Sequence, residues 1–101
     1  MTRAEMLGAY LHLTREVLPA RARRESWIVT ADHCVQRIVL DNVVGDAWRT
    51  KLTGKGPAYQ QLSDEQLERA VELAAEIERD GDSLLRELNR NSLRWRGKVR
   101  G

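Results

Sequence analysis

Between Thr30 and Leu52 the chain reads TADHCVQRIVLDNVVGDAWRTKL, its longest stretch dense in large apolar side chains. On a helix, at about 100° per residue, Cys34, Val35, Ile38, Val39 and Val43 cover more than half of the circumference, and Leu40 and Val44 continue onto the far side. A helix apolar on most sides must be covered by neighbours on most sides, so the rest of the chain is expected to pack around this one. A strand over 35–40 competes, because Val35, Ile38, Val39, Val43 and Val44 are β-branched. Gln36-Arg37 and Asp41-Asn42 break the period-two alternation that a strand needs, which decides for helix. Gly45 is where such a helix packs closely or bends.

With 101 residues the chain is expected to be one helical domain with one core. It has no Phe, two Tyr and three Trp, so the core falls to Leu, Val, Ile and Ala; with Glu and Arg as the main charges, that bias favours helix over sheet. The single cysteine, Cys34, has no internal disulfide partner and suits a reducing compartment. Glu5, His12 and Glu16 interrupt the N-terminal apolar run, which is no signal peptide, and no stretch approaches the ~20 apolar residues of a membrane span. The expectation is a cytoplasmic, soluble protein.

Four helices are predicted, over about 3–18, 31–52, 64–79 and 83–96, with a basic tail at 97–101 that is expected to fray. Thr2-x-x-Glu5 opens the first as a capping box and Pro19 closes it. Residues 19–29 form a connector, and Thr30 offers a hydroxyl cap to the second helix. TGKGPA, 53–58, is a break; Ser63-x-x-Gln66 is a second capping box, followed by Leu67, Ala70, Val71, Ala74 and Ile77 down one face. Asp80-Gly81-Asp82 stops the third helix, Gly81 suiting a left-handed position, and Asp82 or Ser83 caps the fourth, whose inner face is Leu84, Leu85, Leu88, Ser92 and Trp95. The fold class is all-α: a four-helix bundle or orthogonal helical array with a buried central helix.

The central helix carries His33, Arg37 and Asp41 at four-residue steps along one side. Arg37 and Asp41 are spaced to pair directly. The set reads either as a small polar pocket for a ligand or partner, or as an ion pair closing the open side of a buried helix. Asn42 falls inside the apolar sector and is expected to bond the backbone of a neighbouring helix end or loop. His33 and Cys34 point about 100° apart on a helix, and with one other histidine and no second cysteine no metal site is expected. Cys34 reads as a packing residue, and no phosphate loop, nucleophile elbow or other catalytic motif is present, so neither cofactor nor catalytic residue is assigned.

The net charge of +2 argues for nothing by itself, but its distribution is uneven. Asp64–Asp82 holds eight acids and two arginines, a net of −6, and Arg86–Gly101 holds six bases and one acid, a net of +5. Glu65, Glu68, Glu72 and Glu76 on the third helix and Arg86, Arg90 and Arg94 on the fourth form stripes that would neutralise each other in an antiparallel hairpin. Arg21, Arg23 and Arg24, with Arg94, Arg96, Lys98 and Arg100 around Trp95, form the basic and aromatic set that an anion or nucleic acid would use.

Trp27, Asp32-His33-Cys34, Arg37-Ile38, Asp41-Asn42 and Trp48, followed by Pro57-Ala58, Leu62-Ser63, Gln66-Leu67, Leu88-Asn89 and Ser92-Leu93-Arg94, form a pattern over about residues 27–97. It resembles small uncharacterised bacterial all-helical proteins, some of them labelled acetyltransferase-related. The nearest string to the R/Q-x-x-G-x-G/A pyrophosphate loop of that transferase superfamily, Arg94 to Val99, has valine at its last position, and the strands of that fold are not predicted. The resemblance implies a self-contained domain. The functional expectation is a small non-enzymatic interaction or regulatory module whose partner is a protein. The alternative is an accessory nucleic-acid-binding protein, and the third reading is acetyltransferase-related activity.

Overall fold

Thr2 and Ser63 start helices as their spacing predicts. In the computed structural model, which describes residues 1–98, Thr2 Oγ1 accepts from the Glu5 amide at 3.1 Å and Glu5 Oε1 accepts from the Thr2 amide at 2.8 Å. The same reciprocal pair joins Ser63 and Gln66. These open α1 (Arg3–His12) and α5 (Asp64–Asp80).

The first helix does not stop at Pro19. It passes through a π-helical segment, Leu13–Val17, into α2 (Leu18–Glu25). Within the wide turn the Leu18 amide donates to the carbonyl of Leu13, five residues back. The backbone register therefore changes just before the proline, and Pro19 stands in the first turn of α2. Ser26, left-handed at φ 57°, ends α2. The connector expected over 19–29 is thus confined to the residues after Glu25, among which Trp27 is buried.

The central helix is shorter than predicted. α3 runs Asp32–Val44, and Gly45 ends it with φ 76°, its amide bonded to the Asp41 carbonyl at 2.8 Å. The left-handed conformation costs glycine least, so Gly45 terminates the helix instead of bending it. After a two-residue turn the chain forms α4, Trp48–Lys51. Thr30 caps nothing: Ala31 occupies the cap position without a side-chain bond, and Asp32 Oδ1 accepts from the His33 amide. A 3-10 turn, Ala58–Gln61, leads into α5. Gly81, at φ 76°, separates α5 from α6 (Asp82–Trp95) and lies against Trp27, whose Cζ2 is 3.7 Å from where a Cβ would stand. Asp82 bonds the Ile28 amide at 2.9 Å, closing the α2–α3 connector onto the start of α6.

Among the described residues there is no strand, and the fold is all-α. α3 packs against α2, the π segment, α5 and α6, and α1 packs along α5. Val35, Ile38 and Val39 of α3 join Tyr10, Leu18, Leu67, Ala70, Ala74, Ile77 and Leu85 in one core. Ile38 and Val39 are fully buried, and each stabilises the fold by about 1.5–3 kcal/mol. No helix among the described residues is long and apolar enough to cross a membrane.

Candidate functional site

The polar set expected along α3 divides into two parts. Successive four-residue steps rotate by about 40°, so Asp41 lies about 80° round the helix from His33 and turns toward α6. Arg37 and Asp41 are not paired. Asp41 is 0% exposed and binds Arg96 with both oxygens: Nε to Oδ2 at 2.7 Å and Nη2 to Oδ1 at 3.0 Å. Ser92 Oγ donates to Asp41 Oδ2 at 2.6 Å, and the Trp48 amide donates to Oδ1 at 2.9 Å. The carboxylate therefore ties the end of α6 to α3 and fixes the first residue of α4. Its hydrogen bond raises the pKa of Arg96 further above the ordinary arginine value, against partial burial.

Arg37, one turn earlier, has different company. Its Nη1 donates to Ser92 Oγ at 2.7 Å and its Nη2 to Asn89 Oδ1 at 2.9 Å. Both acceptors are neutral. No carboxylate lies within ion-pair distance among the described residues, and the other guanidinium N–H groups have no acceptor there. Ser92 thus links the two sites, accepting from Arg37 and donating to Asp41.

His33, Gln36, Arg37 and Leu40 occupy positions i, i+3, i+4 and i+7, one face of α3, and line a cleft of about 210 Å³ with Trp48, Pro57, Ala58 and Tyr59. Gln36 Nε2 donates to Thr14 Oγ1 at 3.1 Å, fastening this face to the π segment. Tyr59 packs on Tyr10 with ring centroids 5.8 Å apart, and the Tyr10 hydroxyl is buried with no partner among the described residues. Burial, reinforced by the neighbouring Tyr59, pushes the Tyr10 phenol well above its ordinary pKa and keeps it neutral. Arg49 lies over the Trp48 ring at 5.3 Å and Arg15 over the Tyr59 ring at 5.7 Å. His33 stands at the rim with its side chain 81% exposed, its Nδ1 3.8 Å from Asp32. Cys34 is half-buried on a different side of the helix.

Sequence reasoning placed His33 and Arg37 here but missed Gln36, Trp48, Tyr59, Arg15 and Arg49. The signal for Gln36 and Leu40 was the i, i+3, i+4, i+7 spacing that starts at His33. Trp48-Arg49 carries a basic and aromatic signature, but it falls within the span predicted as helix, 31–52. Asn42 does anchor a neighbour, donating to the carbonyls of Ile38 at 2.8 Å and Leu88 at 2.9 Å and accepting from Asn91.

The basic residues do not gather into one surface. Arg21 bonds Glu25 and the Glu78 carbonyl and lies over the Trp27 ring, while Arg96 is committed to Asp41. Arg23 and Arg24 are exposed in the last turn of α2, where positive charge offsets the helix dipole. That group sits by the start of α6, whereas Arg94 lies in its last turn and Lys98 just beyond it, about 20 Å away along a helix of this length. Arg94 bonds Asn91. Arg100 lies outside the described residues. The expected zipper is also not formed among the described residues: Arg69 takes Glu72 and Glu76, Arg86 takes Asp82, and no ion pair joins the glutamates of α5 to Arg86, Arg90 or Arg94. Partners within one or two turns of the same helix reach those charges first.

No family model matches the chain, and neither the curated proteins nor the solved structures contain a match to it.

Proposed function

We propose that this is a small non-enzymatic interaction module whose protein partner docks on the cleft between α3, α4 and the 3-10 turn. One observation carries the reading: Arg37 is half-buried in the cleft wall, held by neutral acceptors and left without a counter-ion among the described residues. A guanidinium fixed by Asn89 and Ser92 is set in advance for an acceptor supplied from outside, at little further entropic cost. Trp48 and Tyr59 add rings of the kind that anchor interfaces, and His33 lies at the edge. Nucleic-acid binding has weaker support, because Arg21 and Arg96 already have internal partners and the two basic groups lie far apart. A cytoplasmic setting suits the lone thiol of Cys34.

Site-specific photo-crosslinking in living cells tests the reading. A benzophenone side chain at position 33 is expected to give an adduct of defined mass, and one at Glu72, exposed on α5, is expected to give none. No adduct at position 33, or the same adducts from both positions, rules the reading out.

A further inference from the structure

If the cleft is a recognition site, as proposed above, its composition also specifies what enters it. We infer that it binds a carboxylate carried on an apolar, preferably aromatic, body. Five of its eight lining residues are apolar or aromatic (Leu40, Trp48, Pro57, Ala58 and Tyr59), one is a permanent cation, and none is acidic. At about 210 Å³ it is smaller than a drug-sized site, with room for one ring and one small polar group.

The charge balance favours a monoanion. Asp41 is the nearest buried acid, and Arg96 already neutralises it with two bonds. Among the described residues Arg37 is therefore surplus positive charge in that cluster. Arg15 and Arg49, lying over the Tyr59 and Trp48 rings, raise the potential further. Asp32 is exposed and sits beside His33 at the rim. The geometry favours a carboxylate over other anions. A planar guanidinium held at Nη1 by Ser92 and at Nη2 by Asn89 keeps Nε–H and one further N–H on each Nη, and a carboxylate matches two adjacent guanidinium N–H groups with two parallel bonds. A phosphate needs several converging donors, and this wall has one guanidinium in an otherwise largely apolar lining. Two sources supply the same chemistry: a small free acid, or the C-terminal carboxylate of a chain that ends in an apolar residue.

Phenylacetate and phenylacetamide share a shape and differ in charge, so the test begins with the unaltered protein. Titrations of the full chain, followed by calorimetry and by backbone amide shifts, are expected to show saturable phenylacetate binding that perturbs α3 and the Trp48–Tyr59 segment. Its affinity should exceed that of phenylacetamide and of inorganic phosphate by about tenfold or more. Arg37→Met, its helical circular dichroism unchanged, should abolish the difference, and Arg90→Ala, on the exposed side of α6, should preserve it. Equal affinity for acid and amide overturns the inference, as do tighter phosphate binding, no saturable binding in the millimolar range, or acid preference that survives Arg37→Met. N-acetyl-leucyl-phenylalanine then identifies the source. Tighter binding than phenylacetate assigns the site to a chain terminus, and no gain assigns it to a free acid. Adducts at position 33 without acid preference defeat this inference and leave the docking reading intact; acid preference without adducts does the reverse.

Discussion

Asp41 and Arg37 lie one turn apart on α3, and Ser92 of α6 bonds both. Around Asp41 every interaction closes on the protein: two bonds from Arg96, one from Ser92 and one from the Trp48 amide. Around Arg37 the partners among the described residues are neutral, and donors remain unused there. The buried carboxylate builds the wall of the cleft by fixing Trp48, and the arginine faces the space that the wall encloses. A charge matched inside the fold makes structure, whereas a charge held in place but unmatched is free to make contacts outside it.

The contrast can be broken from either end. Asp41→Ala should have the largest effect, a loss of about 3–5 kcal/mol in urea unfolding, since it strands Arg96, the buried Ser92 hydroxyl and the part-buried Trp48 amide. A loss under about 1 kcal/mol would mean that the network is dispensable to the fold. Ser92→Ala removes the link but leaves Arg96 on Asp41, so about 1–2 kcal/mol is expected from the same measurement. Arg37→Met keeps much of the aliphatic stem and should cost about 1 kcal/mol or less while removing acid binding. If it destabilised the chain as much as Asp41→Ala, Arg37 would belong with the structural charges.

The smallest effect concerns Asp82, at the opposite end of α6. The Arg86 side chain, and then the Ile28 amide, hold its carboxyl below the ordinary range. A depressed folded pKa gives stability that is complete above the unfolded value of about 3.9 and is lost as pH falls through the lower folded value. Asp82→Asn should therefore flatten the acid limb of the stability profile and leave acid binding in the cleft unaltered. A change in phenylacetate affinity would show that the two ends of α6 are coupled.

Local signals were legible and long-range partners were not. The boxes at Thr2 and Ser63 are complete within four residues, and the left-handed demand at Gly81 is set by its own backbone. The apolar sectors of α3 and α5 likewise gave the all-α class. The four-residue spacing suits a pair between Arg37 and Asp41, but the actual partner of Asp41, Arg96, comes from 55 residues away. Nothing local distinguishes a paired arginine from an open one. Tyr59 joined the cleft only through the path of the 48–61 segment, which follows from Gly45 ending the helix early.

Pro19 hid a further regularity. Met6, Tyr10, Thr14, Leu18 and Ala22 are all buried, spaced by four without exception. An unbroken α-helix would carry that row about 160° around its axis, and half of it would face water. The π segment acts as a one-residue phase correction, holding two helical halves in step against a single core. Deleting one residue from 13–17 would remove the wide turn and keep the two halves in step, whereas winding the same residues as a regular α-helix would turn α1 by about 100° relative to α2. Tyr10 would then swing out from beneath Tyr59, so the floor of the cleft depends on a miscount in a helix that does not line it.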